Sequence, residues 1–344
     1  MKSTDIMLSP RNGERICVIF PGALGDFVCL LPALHALSQE VAVDLFARSE
    51  FAEIVPPTIR VRSIECSEIS RLFAAGADRD DLVRCPFGEY RAVFSWLGSQ
   101  QPSFVHNLKI ASHDKAKIFP FRPDSQIEHQ TDYYLRCLAQ WVDLKCCSPQ
   151  IVLRSESMRW CEDFWTAHSL QQRPVLTIAP GSGAREKNWP EERFHGVARW
   201  WQNLTGGSVI VLMGPVEVER GGFGLLQREC LTVSDLSLSH VAALLARGNV
   251  YLGNDSGVSH LAAAVGVRSV VLFGPADPRQ WSPRGAKVTI VSRQIACSPC
   301  AVPIMKGCPH RACLTELNAR DLIELMGHLP EVASLTRLGS GIRV

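Results

Sequence analysis

The sequence has no uninterrupted apolar run approaching the ~18–20 residues that a membrane-crossing helix needs, so a helical membrane span is excluded. Neither sign of charge is in real excess: 36 Lys and Arg stand against 34 Asp and Glu, a formal net charge of +2. So small a surplus gives no basic footprint, and nucleic acid is not expected as a partner. Residues 1–15 carry charges and no apolar stretch, so a secretory signal is not expected and the protein reads as cytoplasmic. Peripheral contact with the inner membrane surface stays open. There is no tandem repeat and no low-complexity tract. With 20% charged and 46% hydrophobic residues, wholesale disorder is also excluded.

A chain of 344 residues is long enough for two domains, each with its own core. Its thirteen cysteines are an odd number, which cannot pair completely. With no export signal they read as reduced thiols, and those in apolar contexts such as Cys17 and Cys29 as small buried hydrophobes.

Short apolar runs alternate with longer helix-periodic segments, the pattern of βα repeats on a parallel sheet. In the first half, strands are expected at Ile16–Phe20, Val41–Phe46 and Val93–Trp96, and helices at Phe27–Leu37 and Thr131–Val142. Pro32 implies that the first helix starts late or kinks. In the second half, strands are expected at Val175–Ala179, Ser208–Met213, Val250–Gly253 and Ser269–Phe273. Helices should fill Glu191–Asn203, Ser239–Arg247 and Val258–Val265. Residues 148–174 are of mixed composition with one helix, Glu156–His168. The boundary falls there, giving domains 1–160 and 161–344, with a ligand cleft expected between them where strand C-termini meet.

Three segments carry chemistry. Pro21-Gly22-Ala23-Leu24-Gly25-Asp26 joins the first strand to the first helix. Gly22 and Gly25 allow a tight turn and close approach of a ligand to the backbone. Asp26 sits where the helix begins, and helix capping alone would explain it. The second segment runs from Ala179 to Pro190. There the backbone amides around Gly181 and Gly183, the Ser182 hydroxyl and the Lys187 ammonium could surround a diphosphate ahead of a helix. It lacks the G-x-x-x-x-G-K-[ST] spacing of a P-loop, and an ordinary solvated βα loop is the plainer reading. The third, Gly253-Asn254-Asp255-Ser256-Gly257-Val258-Ser259-His260, links a strand to a helix rich in alanine, the layout of an anion site at a helix N-terminus. His260 falls one turn in, where a satisfied core histidine is equally expected.

Together, in this order and spacing, these segments resemble glycosyltransferase family 9, the ADP-heptose:lipopolysaccharide heptosyltransferases. Gly214-Pro215-Val216-Glu217, His129 to Leu135, and Leu272 through Pro278 agree, so the resemblance spans residues 15–335. It implies an α/β chain with the GT-B fold: two Rossmann-like, doubly wound parallel-sheet domains facing a central cleft. The first domain would hold the acceptor and the second the nucleotide-sugar. The implied reaction is an inverting transfer of heptose, from ADP-heptose to a hydroxyl of a glycolipid or polysaccharide such as the lipopolysaccharide core, with no cofactor required for catalysis. By the resemblance Asp26 is the general base, with Gly22 and Gly25 in the acceptor-side loop. Lys187 and Ser182, in the loop with Gly183, meet the donor phosphates. Asp255, Ser256, Gly257 and His260 form the second phosphate-binding segment, and Glu217 meets the ribose.

The chain departs from the family at Phe20, where members commonly carry Lys or Arg. That shifts the expected acceptor away from phosphorylated or strongly acidic groups, leaving another polysaccharide or a protein open. Another nucleotide-activated sugar is an alternative donor, and a non-catalytic nucleotide-sugar-binding partner protein an alternative role. Outside the resemblance, Cys297-x2-Cys300-x7-Cys308-x4-Cys313 could encircle one tetrahedral ion. A structural zinc or iron and four unligated thiols are both open there. Either way the cysteines are expected to stand apart from donor binding, because the phosphate-binding loops lie elsewhere in the chain.

Overall fold

A computed structural model describes residues 14–124, 127–142, 148–293 and 295–339. Residues 1–13, on which the export reading rests, lie outside the described residues, as do Cys146 and Cys147. The chain divides into two compact units, Met1–Pro149 and Gln150–Val344. The expected division at residues 160 and 161 falls inside the helix Ser155–Ala167. That helix buries Ser157, Cys161 and Trp165, spaced four apart on one face. It packs against the helix Leu238–Arg247 of the second unit, where the Cys161 thiol points at the Ala243 carbonyl at 3.5 Å. Its amphipathic face therefore assigns the whole helix to the second unit.

The first unit is built on a five-stranded sheet in the order β3-β2-β1-β4-β5, with every pair parallel. The strands are β1 (Arg15–Ile19), β2 (Ala42–Ala47), β3 (Ile59–Ser63), β4 (Val93–Ser95) and β5 (Ala116–Ile118). Both faces are covered, which is why Ile16 to Phe20 is a continuous apolar run with no exposed residue.

The helix after β1 runs Leu24–Glu40, with Pro32 in its interior. It starts earlier than Pro32 suggests. A proline eight residues into a helix removes one backbone hydrogen bond and bends the axis, and here the buried apolar residues on either side, Phe27 to Leu34, hold it in place.

The second unit carries a six-stranded parallel sheet, β11-β10-β9-β6-β7-β8. Its strands are β6 (Val175–Ala179), β7 (Ser208–Leu212), β8 (Leu231–Val233), β9 (Val250–Asn254), β10 (Arg268–Phe273) and β11 (Val288–Ser292). Each sheet winds in both directions from a central strand, so the order reverses between β1 and β4 and again between β6 and β9. In sheets of this kind ligands bind beyond the carboxyl ends of the strands at that reversal. The loops after β1, β6 and β9 are the three chemistry-bearing segments, so the topology puts each at the switch point of its own sheet.

Helix Glu191–Thr205 covers the second sheet with Phe194, Val197, Ala198 and Trp201, the i, i+3, i+4, i+7 stripe of a core-facing helix. It ends at Gly206, whose φ of 62° is the left-handed turn that glycine favours. The helices Ala319–Gly327 and Pro330–Gly339 pack on it in turn.

Arg268, at the start of β10, holds Glu331 of the last helix through two bonds of 2.8 and 3.0 Å. The guanidinium bonds, more than any other influence, keep the Glu331 carboxyl below its ordinary 4.5. A carboxyl depressed in the folded state stabilises above its unfolded value, and that stabilisation is lost as pH falls through the folded value. We expect Glu331→Gln to cost about 1 kcal/mol at pH 7, since the pair is partly exposed. Urea unfolding should show the gap to the wild type closing as the pH drops below 4.5, and a gap that widens in acid would refute the assignment.

Candidate active site

In the first unit Ala23 caps the helix with no side-chain bond, and Asp26 lies in the first turn. Capping therefore does not account for Asp26. Its carboxylate accepts a 2.6 Å hydrogen bond from Arg122 Nη1, and its side chain is only 13% exposed. Arg122 lies beyond β5, with its guanidinium 4.2 Å from the centre of the Phe121 ring. Phe121 packs against Phe20 with ring centres 5.8 Å apart.

Phe20 is fully buried and also meets Trp96 edge-on at 6.2 Å and Tyr134 edge-on at 5.5 Å. A Cβ at residue 22 would overlap the Phe20 ring and come within 2.8 Å of the Asp26 Cβ, so Gly22 is what lets the chain turn over this aromatic cluster. Gly25 sits in the first helical turn. Burial first, then the neighbouring Asp26 carboxylate, pushes the Tyr134 phenol far above its ordinary 10.0, so it stays protonated.

In the second unit the loop after β6 is tied at both ends to β9. The Asn254 carboxamide donates to the Pro180 carbonyl at 2.7 Å and accepts the Trp189 N–H at 3.0 Å. The Ser182 hydroxyl bridges the Ala184 carbonyl and Asn188 Oδ1, both at 2.7 Å, and so folds the loop on itself. Lys187 Nζ donates to Asp255 Oδ2 at 2.6 Å, which places the ammonium beside the start of the helix Gly257–Val265.

Ser256 caps that helix without a side-chain bond, so its hydroxyl does not occupy the first-turn amides. His260 is buried within the helix, 4% exposed. Glu217 accepts the Gly214 N–H at 3.1 Å and lies flat against Gly181, where any Cβ would overlap its carboxylate. Gly183 has open space around it. Glu217, Arg185, Asn188, Arg220 and Phe223 line a pocket of about 360 Å³ beside this loop.

The structure thus brings Lys187, Asp255, Ser256 and Gly257 together, with Ser182 and Glu217 on the same loop system. Sequence reasoning did not single out Arg122, which is 96 residues from its partner, or the clamping role of Asn254. No local pattern marks the first, and the second was legible only as part of a motif.

Cys297, Cys300, Cys308 and Cys313 line one small cavity with His310. Yet among the described residues no group of three or more His, Cys, Asp or Glu side chains is placed to hold a metal ion. The Cys300 thiol is turned to the Cys297 carbonyl at 2.8 Å, and the Cys308 sulfur sits 3.9 Å from His310 Nδ1. Burial, with the neighbouring thiols adding to it, raises the Cys300 and Cys313 thiols, so both stay protonated. The four cysteines and His310 thus share one cavity. Nor does the segment stand apart from the loop after β6, as its sequence distance suggests. Glu186 lines the same cavity, and Arg311 Nη1 donates to the Arg185 carbonyl at 3.1 Å.

The model of glycosyltransferase family 9 (heptosyltransferase) matches residues 117–307. Over 330 residues the chain is 24% identical to lipooligosaccharide heptosyltransferase 2 of Campylobacter jejuni, covering 90% of this chain and 96% of that one. It is 28% identical over 312 residues to lipopolysaccharide heptosyltransferase 2 of Salmonella typhimurium, with 80% and 87% covered. The solved structure of the E. coli ADP-heptose LPS heptosyltransferase II superposes with a TM-score of 0.67 at 16% identity, over 95% of this chain and 99% of that one. The two doubly wound parallel-sheet domains are those of the GT-B fold. With more than half of its length matched by the family model, the chain belongs to glycosyltransferase family 9, the heptosyltransferase family.

Proposed function

We propose that this protein is an inverting, metal-independent glycosyltransferase that moves heptose from ADP-heptose to a hydroxyl of a cell-surface polysaccharide such as the lipopolysaccharide core. The observation that carries the reading is the placement of Lys187, Asp255 and the first turn of the helix Gly257–Val265 around one point at the switch of the second sheet. An ammonium and a helix N-terminus are the charges a departing diphosphate needs. Support for heptose comes from family membership and from the names of the relatives, which join heptose to lipopolysaccharide or lipooligosaccharide.

In the proposed step Asp26 takes the proton of the acceptor hydroxyl while the hydroxyl oxygen bonds to the anomeric carbon. The bond from that carbon to the diphosphate breaks, and its electron pair leaves with ADP. Lys187 and the helix amides neutralise the growing charge. Asp255 would repel a phosphate at close range, so its part is to orient Lys187. Glu217, flat against Gly181 and lining the neighbouring pocket, is assigned to the ribose hydroxyls, which a carboxylate can accept. Ser182 shapes the loop. His260, being buried, supports the phosphate segment from inside. Among the described residues no helix is long and apolar enough to cross a membrane, and we place the enzyme in the cytoplasm, meeting its acceptor at the inner membrane face.

Asp26→Asn should leave ADP affinity intact and lower turnover ~10²–10⁴-fold, the share general base catalysis supplies. Full turnover in that variant would remove Asp26 from the chemistry. Lys187→Ala should weaken ADP binding, read by calorimetry, by about 1.5–3 kcal/mol through loss of a charge-assisted contact. Unchanged affinity would make the loop a plain connector.

A further inference from the structure

We infer that Arg122 is the positioning residue of the acceptor side: it supplies, from the segment beyond β5, the cation that position 20 lacks, and fixes the Asp26 carboxylate for its work on the acceptor hydroxyl. The inference rests on the assignment of Asp26 as the base and deepens it.

Three observations carry it. Asp26 is largely covered, and its carboxylate bonds the Arg122 guanidinium at 2.6 Å instead of capping its own helix. The guanidinium is itself held, lying over the Phe121 ring at 4.2 Å, and cation–π contact limits its swing. Phe121 in turn rests on Phe20, the buried residue that occupies the place of a basic side chain. The aromatic at 20 is thus the foundation of a platform that carries a cation to Asp26 by another route. A carboxylate offers about four lone-pair directions, so one bond to a guanidinium leaves others for a substrate hydroxyl.

A cation bonded to the carboxylate stops the short side chain from rotating away, so the base keeps one orientation toward the acceptor. Being 43% exposed, Arg122 contributes little to folding, which separates a catalytic effect from a structural one.

The test is a double-mutant cycle on the intact protein with ADP-heptose and a heptose-free lipopolysaccharide core as acceptor. Arg122→Ala should lower kcat by ~10²-fold, the scale of a misplaced reacting group, with donor KM and Tm unchanged. Arg122→Lys should restore most of it, since a cation returns. In the Asp26→Asn background Arg122→Ala should cost almost nothing more, because the group it positions is gone. If Asp26→Asn is deeply impaired but Arg122→Ala multiplies that loss, or raises acceptor KM alone, the positioning role is overturned and the base assignment survives. If Asp26→Asn turns over at the wild-type rate, the base assignment falls and this role falls with it.

Discussion

The carboxamide of Asn254 ties together the two ends of the loop that carries Ser182 and Lys187. It sits fully buried at the end of β9, donating to Pro180 as the chain leaves β6 and accepting from Trp189 as the chain enters the next helix. Both strands are at the switch point of the sheet, so the clamp works between neighbours whose spacing the β6–β9 ladder fixes. Everything else on that loop hangs from it: the Ser182 bridges, the approach of Glu217 to Gly181, and the reach of Lys187 to Asp255. A long βα loop without such a clamp would lose the entropy of ordering each time a ligand bound.

The first unit solves the matching problem by aromatic packing. The buried Phe20, Trp96 and Tyr134 and the partly buried Phe121 form an aromatic cluster beneath the turn at Gly22, and the charged pair Asp26–Arg122 stands on it. The apolar floor excludes water from one side of the pair, which strengthens the attraction between its charges. Phe20 and Gly22 are coupled choices, because the ring fills the space that any side chain at 22 would need. The cation beside Asp26 comes from Arg122, beyond β5.

Much of the fold was legible in the sequence, and what was missed has a common cause. Central strands such as β1, β6, β9 and β10 are buried on both faces and appear as apolar runs. The strands not anticipated, β3, β5, β8 and β11, are the four outer strands of the two sheets. An outer strand needs less apolar surface and is often short or charged, as Ile59-Arg60-Val61-Arg62-Ser63 shows. The first helix exceeds the expected Phe27–Leu37 because tertiary burial of Phe27 to Leu34 carries the chain through Pro32. Of the candidate site, the residues near in sequence were found by motif. The pair Asp26–Arg122 and the seam between Arg311 and the loop after β6 join distant segments, and one-dimensional spacing holds no record of them. The spacing of the four cysteines likewise does not reveal that they share a cavity with Glu186 of the loop after β6.

The central claim is that one chain performs a direct displacement of ADP from an activated heptose, with a carboxylate on the acceptor side and fixed positive charge on the leaving side. The anomeric configuration of the product, read from its proton and carbon couplings by NMR after reaction of ADP-heptose with a heptose-free lipopolysaccharide core, tests this most directly. The account predicts a glycoside of inverted configuration with one ADP released per sugar transferred. A product with retained configuration would contradict it.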